Sequence, residues 1–134
     1  MIALGIGCRR DASADTIEAV VAQALRAASL VSSDIAVIAT AADKRDEAGI
    51  VEAAKRLRRP LVGVAAAELA AVADRAVTYS DLVHRLKGVP SIAETAALVA
   101  AGRHARLILP RMANASATSA LAEGDGAFPA ENGG

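Results

Sequence analysis

At 134 residues the chain is long enough for one domain, burying about two-thirds of its unfolded surface around a single core. Apolar residues make up 54% of it, yet there is one Tyr, one Phe and no Trp, so alanine and aliphatic side chains must build the core, and the aromatic platforms on which single strands stack are excluded. Fifteen basic residues balance fifteen acidic ones, which argues against a nucleic-acid partner bound through a large positive field, and one cysteine excludes both an internal disulfide and a cysteine cluster for zinc.

No apolar run approaches the roughly 20 residues needed to cross a bilayer. With a single cysteine, as suits a reducing compartment, the sequence reads as that of a soluble, cytoplasmic protein without a membrane partner. Nothing in it calls for a metal ion or another cofactor.

Met1 to Ile6 is almost continuously apolar and reads as a buried central strand. Gly5-Ile6-Gly7-Cys8-Arg9-Arg10-Asp11 then reads as a glycine turn into a helix, with Ser13 as its cap. Ile17, Val20, Val21, Ala24, Leu25 and Ala28 form one apolar stripe, and Asp15 and Glu18 suit the helix dipole. Free amides at a helix start beside two guanidinium groups suggest a receptor for anions. A turn that merely passes the strand under the helix fits the same short signal.

Ile35 to Ala39 reads as a second buried strand, and the charged stretch Thr40 to Glu47 as the next connection. A helix over 47–58 turns Ile50, Ala53, Ala54 and Leu57 inward; Lys55, Arg56 and Arg59 lie near its end as a solvated basic group, before Pro60 stops it. Leu61 to Val64 is a third strand, and Glu68, Leu69 and Val72 suggest a short helix. A turn of helix carrying Leu82, Val83 and Leu86 follows. His84 and His104 show no partner that would make either a ligand or a base.

Gly88-Val89-Pro90-Ser91 punctuates the chain, and Ser91 with Glu94 matches a capping box for a helix over 92–101 that Gly102 ends. Arg106 to Leu109 reads as a strand, Pro110 to Asn114 as the turn leaving it, and Ser116 to Leu121 as an edge strand. From Glu123 the composition shifts to Gly, Pro, Glu and Asn, which predicts a domain over 1–122 and a disordered tail over 123–134. Strands alternating with helices imply an α/β domain of three layers, a mainly parallel sheet with helices on both faces. In such sheets ligands bind beyond the carboxyl ends of strands, and the connections at Gly7 to Asp11, Thr40 to Asp46 and Pro110 to Asn114 leave such ends.

Four stretches, GIGCRRDAS at 5–13, TAADKRDEAGI at 40–50, GVPSIAETAAL at 88–98 and LILPRMAN at 107–114, together resemble the CobE and CbiG C-terminal family of cobalamin biosynthesis proteins. The resemblance spans about Ile2 to Leu121. It implies a small α/β domain acting in construction of the corrin ring, with a precorrin or corrin intermediate as ligand and other enzymes of the pathway as partners. A free-standing copy is more similar to the CobE branch. The chain departs from the usual family pattern at Arg111, where a lysine is common, and in the more polar run after Asn114.

Corrin precursors are flat apolar macrocycles edged with acetate and propionate carboxylates. Gly5, Gly7 and Cys8 with Arg9, Arg10, Lys44, Arg111 and Asn114 are therefore the candidate binding residues, since arginine grips a carboxylate through two parallel hydrogen bonds. If the chain is an enzyme, Cys8 beside a helix start and two arginines is a candidate nucleophile with a lowered pKa. Asp43 or Asp46 is a candidate base for opening a lactone, though each is equally placed to cap the second helix. Three readings follow: a protein that binds an intermediate and assists its processing or transfer; a hydrolase that opens the lactone of a ring-contracted precorrin and releases a two-carbon fragment; and a small anion- or nucleotide-binding module. The last ranks lowest, because no full dinucleotide or phosphate-loop glycine pattern is present.

Overall fold

The structure, a computed structural model, describes residues 1–75 and 91–126. Strands β1 (Ile2–Cys8), β2 (Ile35–Ala41), β3 (Leu61–Val64), β4 (Arg106–Ala113) and β5 (Ala117–Glu123) form one sheet in the order β3-β2-β1-β5-β4. β1 is parallel to β2 and β2 to β3, while β5 is antiparallel to β1 and β4 antiparallel to β5. The α/β class is as expected, but the sheet is mixed: β5 alone runs against the other four. The carboxyl ends of β1, β2, β3 and β4 therefore share one edge of the sheet.

The stretch expected at an edge is interior. β5 pairs with β1 on one side and β4 on the other, and Ala117 and Ser119 to Ala122 are buried. β4 takes the edge, and with it Pro110, which has no amide for an interior ladder. The turn expected over 110–114 is correspondingly shorter, since β4 continues to Ala113. Between the pairs Leu109↔Leu121 and Met112↔Ser119, β4 advances three residues while β5 advances two, a β-bulge at Pro110 and Arg111.

Helices α1 (Ala14–Ala27) and α2 (Ala48–Leu57) cover one face. Their buried stripes of Ile17, Val20, Val21 and Ile50 pack with Leu4, Ile6, Ile38 and Leu121. Ser13 caps α1, its Oγ accepting the Thr16 N–H at 3.1 Å. The N-cap of α2 is Glu47 rather than Asp43 or Asp46, and no side chain caps it. Arg56 is more than a solvated end. It donates to Asp15, Glu18 and Glu52 at 2.7, 3.0 and 3.2 Å, tying α2 to α1, and these three carboxylates hold its pKa above the ordinary arginine value.

The other face carries α3 (Ala66–Ala71) and α4 (Ile92–Ala101). Its core is mostly alanine: Ala3, Ala39, Ala96, Ala97, Ala100, Ala101 and Ala122, with Val37, Val64 and Leu98. Gly5 lies in extended β1 and not in a turn; a Cβ there would collide with the backbone of Ala93 and Ala97 in α4. Its role is close approach rather than conformational freedom. Gly7 likewise belongs to β1, and the residue in left-handed conformation is Asp11, at φ 65°.

The first residues after the shift in composition, 124–126, are bonded to the body of the domain. Gly124 donates to the Met1 carbonyl at 3.0 Å, Gly126 to that of Ala101 at 2.7 Å, and Asp125 Oδ2 accepts from the His104 ring Nδ1 at 2.8 Å. Residues 127–134 lie outside the described residues. So do 76–90, with the expected turn of helix around Leu82, His84, and Gly88-Val89-Pro90.

Replacing Gly5 by Ala is expected to lower unfolding free energy by roughly 1–3 kcal/mol or more, as overpacking does. Urea denaturation measures it, and unchanged stability would mean that α4 does not rest on β1 in this way.

Candidate functional site

Three connections meet at the shared edge of strand ends. The Arg9 N–H donates to the Ser116 carbonyl at 2.9 Å, joining the end of β1 to the turn between β4 and β5. Two residues on, the Asp11 N–H donates to Glu47 Oε2 at 2.6 Å, joining the same connection to the start of α2. Asp tolerates the left-handed conformation this requires better than most residues. Thr40, buried at the end of β2, donates to the Ile6 carbonyl at 2.8 Å.

Asn114 organises the turn. Its Oδ1 accepts the N–H groups of Ser116 and Ala117 at 3.0 and 2.9 Å, and its Nδ2 donates to the Thr16 carbonyl of α1 at 3.0 Å. This side chain shapes the wall instead of reaching outward.

Between these connections and the start of α4 lies an open cavity of about 310 Å³. Gly7, Cys8 and Arg9 form one wall, Ser91 and Ile92 a second, and Arg111, Asn114 and the stretch from Ala115 to Thr118 the third. A Cβ on Gly7 would lie 2.8 Å from Thr118 Oγ1 and 3.7 Å from Ile92 Cβ, so its absence keeps this space open. The lining residues are apolar at Cys8, Ile92, Ala115 and Ala117, polar at Ser91, Ser116 and Thr118, and basic at Arg9 and Arg111.

Among the expected binding residues, Gly7, Cys8, Arg9, Arg111 and Asn114 thus come together in one cavity. Lys44 is half-buried and near enough to Cys8 to act on its charge. Gly5 lies under α4, away from the cavity lining, and Arg10 is exposed and outside it. Of the candidate bases, Asp43 is exposed in the turn after β2, and the Asp46 side chain is fully exposed. Asp46 lines a separate hollow of about 500 Å³ with Asp11, Glu47 and Glu52, where the charge is wrong for a carboxylate ligand.

Cys8 is not activated as its neighbours in sequence suggested. Burial raises the thiol pKa; Lys44 draws it down and Glu47 pushes it up, and the net shift is upward. The expectation of a lowered pKa fails because Cys8 is the last residue of a strand, half-buried, and not the opening residue of α1.

Sequence reading missed Glu94 as part of this region. Ser91 does cap α4, its Oγ accepting the Glu94 N–H at 3.3 Å, but the Glu94 carboxylate turns to the sheet and Oε2 accepts the Arg111 N–H at 2.8 Å. Glu94 is 0% exposed.

A three-layer α/β domain with a cation-rimmed cavity where its parallel strands end is the class this architecture defines. Residues 2–122 match the family described as Cobalamin synthesis G C-terminus, and the chain belongs to that family. It is 36% identical over 121 residues to Protein CobE of Sinorhizobium sp., across 90% of this chain and 79% of that one. The solved structure of CobE, a protein from the cobalamin (vitamin B12) biosynthetic pathway, superposes with a TM-score of 0.81 at 32% identity, over 91% of this chain and 89% of that chain. Cobalamin biosynthesis protein chiG from Agrobacterium tumefaciens strain C58 gives a TM-score of 0.73 at 41% identity, over 93% and 99%. The protein has a role in cobalamin biosynthesis.

Because the thiolate is the reactive form, iodoacetamide at pH 7.5 is expected to label Cys8 more slowly in the folded protein than in the unfolded chain. Lys44→Ala should slow labelling further and Glu47→Gln should speed it. Mass spectrometry of timed samples reads the rates, and a folded rate above the unfolded one would restore Cys8 as a nucleophile.

Proposed function

We propose that this protein binds a precorrin or corrin intermediate at the cavity between β1, β4 and α4, and holds it for processing or transfer by another enzyme of the pathway. The observation that carries this reading is the meeting of Arg9, just after β1, and Arg111, on the bulge of β4 about 100 residues further along the sequence, on one cavity with a partly apolar lining. An apolar surface with guanidinium groups at its margin is what a flat ring edged with carboxylates requires. Lys44 adds positive charge nearby.

The size of the cavity supports an edge-on grip. Pockets that enclose a drug-sized ligand run to about 300–1,000 Å³, and a corrin ring with its side chains is larger than such a ligand. A cavity of about 310 Å³ takes one carboxylate-bearing edge and leaves the rest of the ring accessible. That suits hand-over better than enclosed chemistry. Lactone hydrolysis has less support, because it needs an activated group where Cys8 is a protonated thiol and Asp43 and Asp46 point to solvent-exposed surroundings.

Absorbance titration with cobyrinic acid, whose side-chain carboxylates are free, and with its fully methylated ester tests this. The acid is expected to bind and the ester to bind at least tenfold more weakly. Arg9→Ala and Arg111→Ala should each weaken the acid about tenfold, the scale of a hydrogen bond between charged groups, while Arg10→Ala changes it little. Equal affinity for acid and ester, or no effect of either arginine, would overturn the reading.

A further inference from the structure

We propose that Glu94 is a positioning residue for the site: it fixes the backbone at Arg111 so that the guanidinium faces the cavity. This rests on the reading of the cavity as a carboxylate-binding site. Glu94 is fully buried, three residues after Ser91 and one turn from the wall that Ser91 and Ile92 form.

The sequence of cause begins at Pro110. Proline at the edge of the sheet is tolerated at a bulge, and here the bulge adds one residue to β4 between Leu109 and Met112. A bulge breaks the ladder and re-aims the side chain it carries. The Arg111 amide, on the bulged stretch, goes instead to Glu94 Oε2 at 2.8 Å. With its amide held, the Cα–Cβ direction of Arg111 is set, at a residue that lines the cavity. A carboxylate is a stronger acceptor than a neutral group for this purpose. A helix cap alone does not account for it, since the cap bond on α4 is made by Ser91 and the carboxylate reaches across to a different element.

Because the contact is to the backbone of Arg111, the role of Glu94 can be separated from that of the Arg111 side chain by a double-mutant cycle. Cobyrinic acid is titrated into wild type, Glu94→Ala, Glu94→Gln, Arg111→Ala and the Glu94→Ala/Arg111→Ala pair. Glu94→Ala is expected to weaken binding about tenfold and Glu94→Gln, which keeps an acceptor oxygen, less than about threefold. The pair should bind no more weakly than Arg111→Ala alone. Wild-type affinity in Glu94→Ala, or the same weakening in both backgrounds, overturns the assignment.

Hydrogen exchange at the Arg111 amide gives a readout without ligand: Glu94→Ala should speed it at least tenfold and Glu94→Gln much less. Unchanged exchange would also overturn the proposal. Should the wild type bind acid and ester alike, the reading of the cavity fails, while accelerated exchange would still place Glu94 on the Arg111 backbone. If the alanine chain does not fold, Glu94→Asp, one methylene shorter, is measured in its place with the same expectations.

Discussion

The contact between α4 and β1 governs the geometry of this protein more than any other. Where most helices rest on a sheet through a layer of branched side chains, here the strand offers Gly5 and the helix offers its own backbone at Ala93 and Ala97. The surrounding residues, Ala3, Ala96, Ala100 and Ala122, add only methyl groups. Separation is then set by backbone atoms, which cannot change rotamer, so the start of the helix is placed with little slack. Ser91, Ile92 and Glu94 depend on that placement: the first two overhang the end of β1, and the third meets the bulge in β4. A larger residue at Gly5 would lift all three together.

This constraint also explains which features were legible in sequence. Helices with a clear stripe, α1 and α2, and elements bounded by strong punctuation, β3 after Pro60 and α4 between Ser91 and Gly102, follow from local chemistry. The place of β5 does not. Its Ala-Thr-Ser-Ala pattern is polar enough for an edge, yet Ser119 donates to the Val20 carbonyl at 3.0 Å and Thr118 to that of Gly7 at 3.4 Å, and Ser119 is fully buried. A hydroxyl that bonds a nearby carbonyl escapes much of the desolvation cost, and sequence alone does not reveal the carbonyl.

The glycines show the same limit. Gly-x-Gly before a helix has two physical meanings, a turn with unusual dihedrals or a strand that another backbone approaches, and only the tertiary neighbour distinguishes them. For the proposed site, arginines near strand ends stand out in the sequence as candidate anion contacts, but sequence alone does not separate Arg9, which lines the cavity, from Arg10, which does not. Glu94 was hidden because a glutamate three residues after a serine has a complete local explanation as a capping box.

Charge is segregated within a chain whose formal total is zero. Arg9 and Arg111 line one opening, while Asp11, Asp46, Glu47 and Glu52 line the other. Cys8 feels both a cation and an anion, Lys44 lowering its pKa and Glu47 raising it, and burial, the largest effect, favours the neutral thiol. A hydrolytic site needs a group whose proton is easily lost or gained near neutral pH, whereas a binding site needs cations whose charge never changes and whose backbones are fixed. Arginine satisfies the first condition and cannot be deprotonated in a protein. The bonds from the Arg9 amide to Ser116 and from the Arg111 amide to Glu94 satisfy the second. Anchoring the backbone fixes where each side chain starts, which spares part of the ordering cost of binding, while the exposed side chains still have rotamer freedom to lose. On the proposed reading, an edge whose cations keep their charge and whose one thiol stays neutral is suited to holding a carboxylate-bearing ligand rather than transforming it.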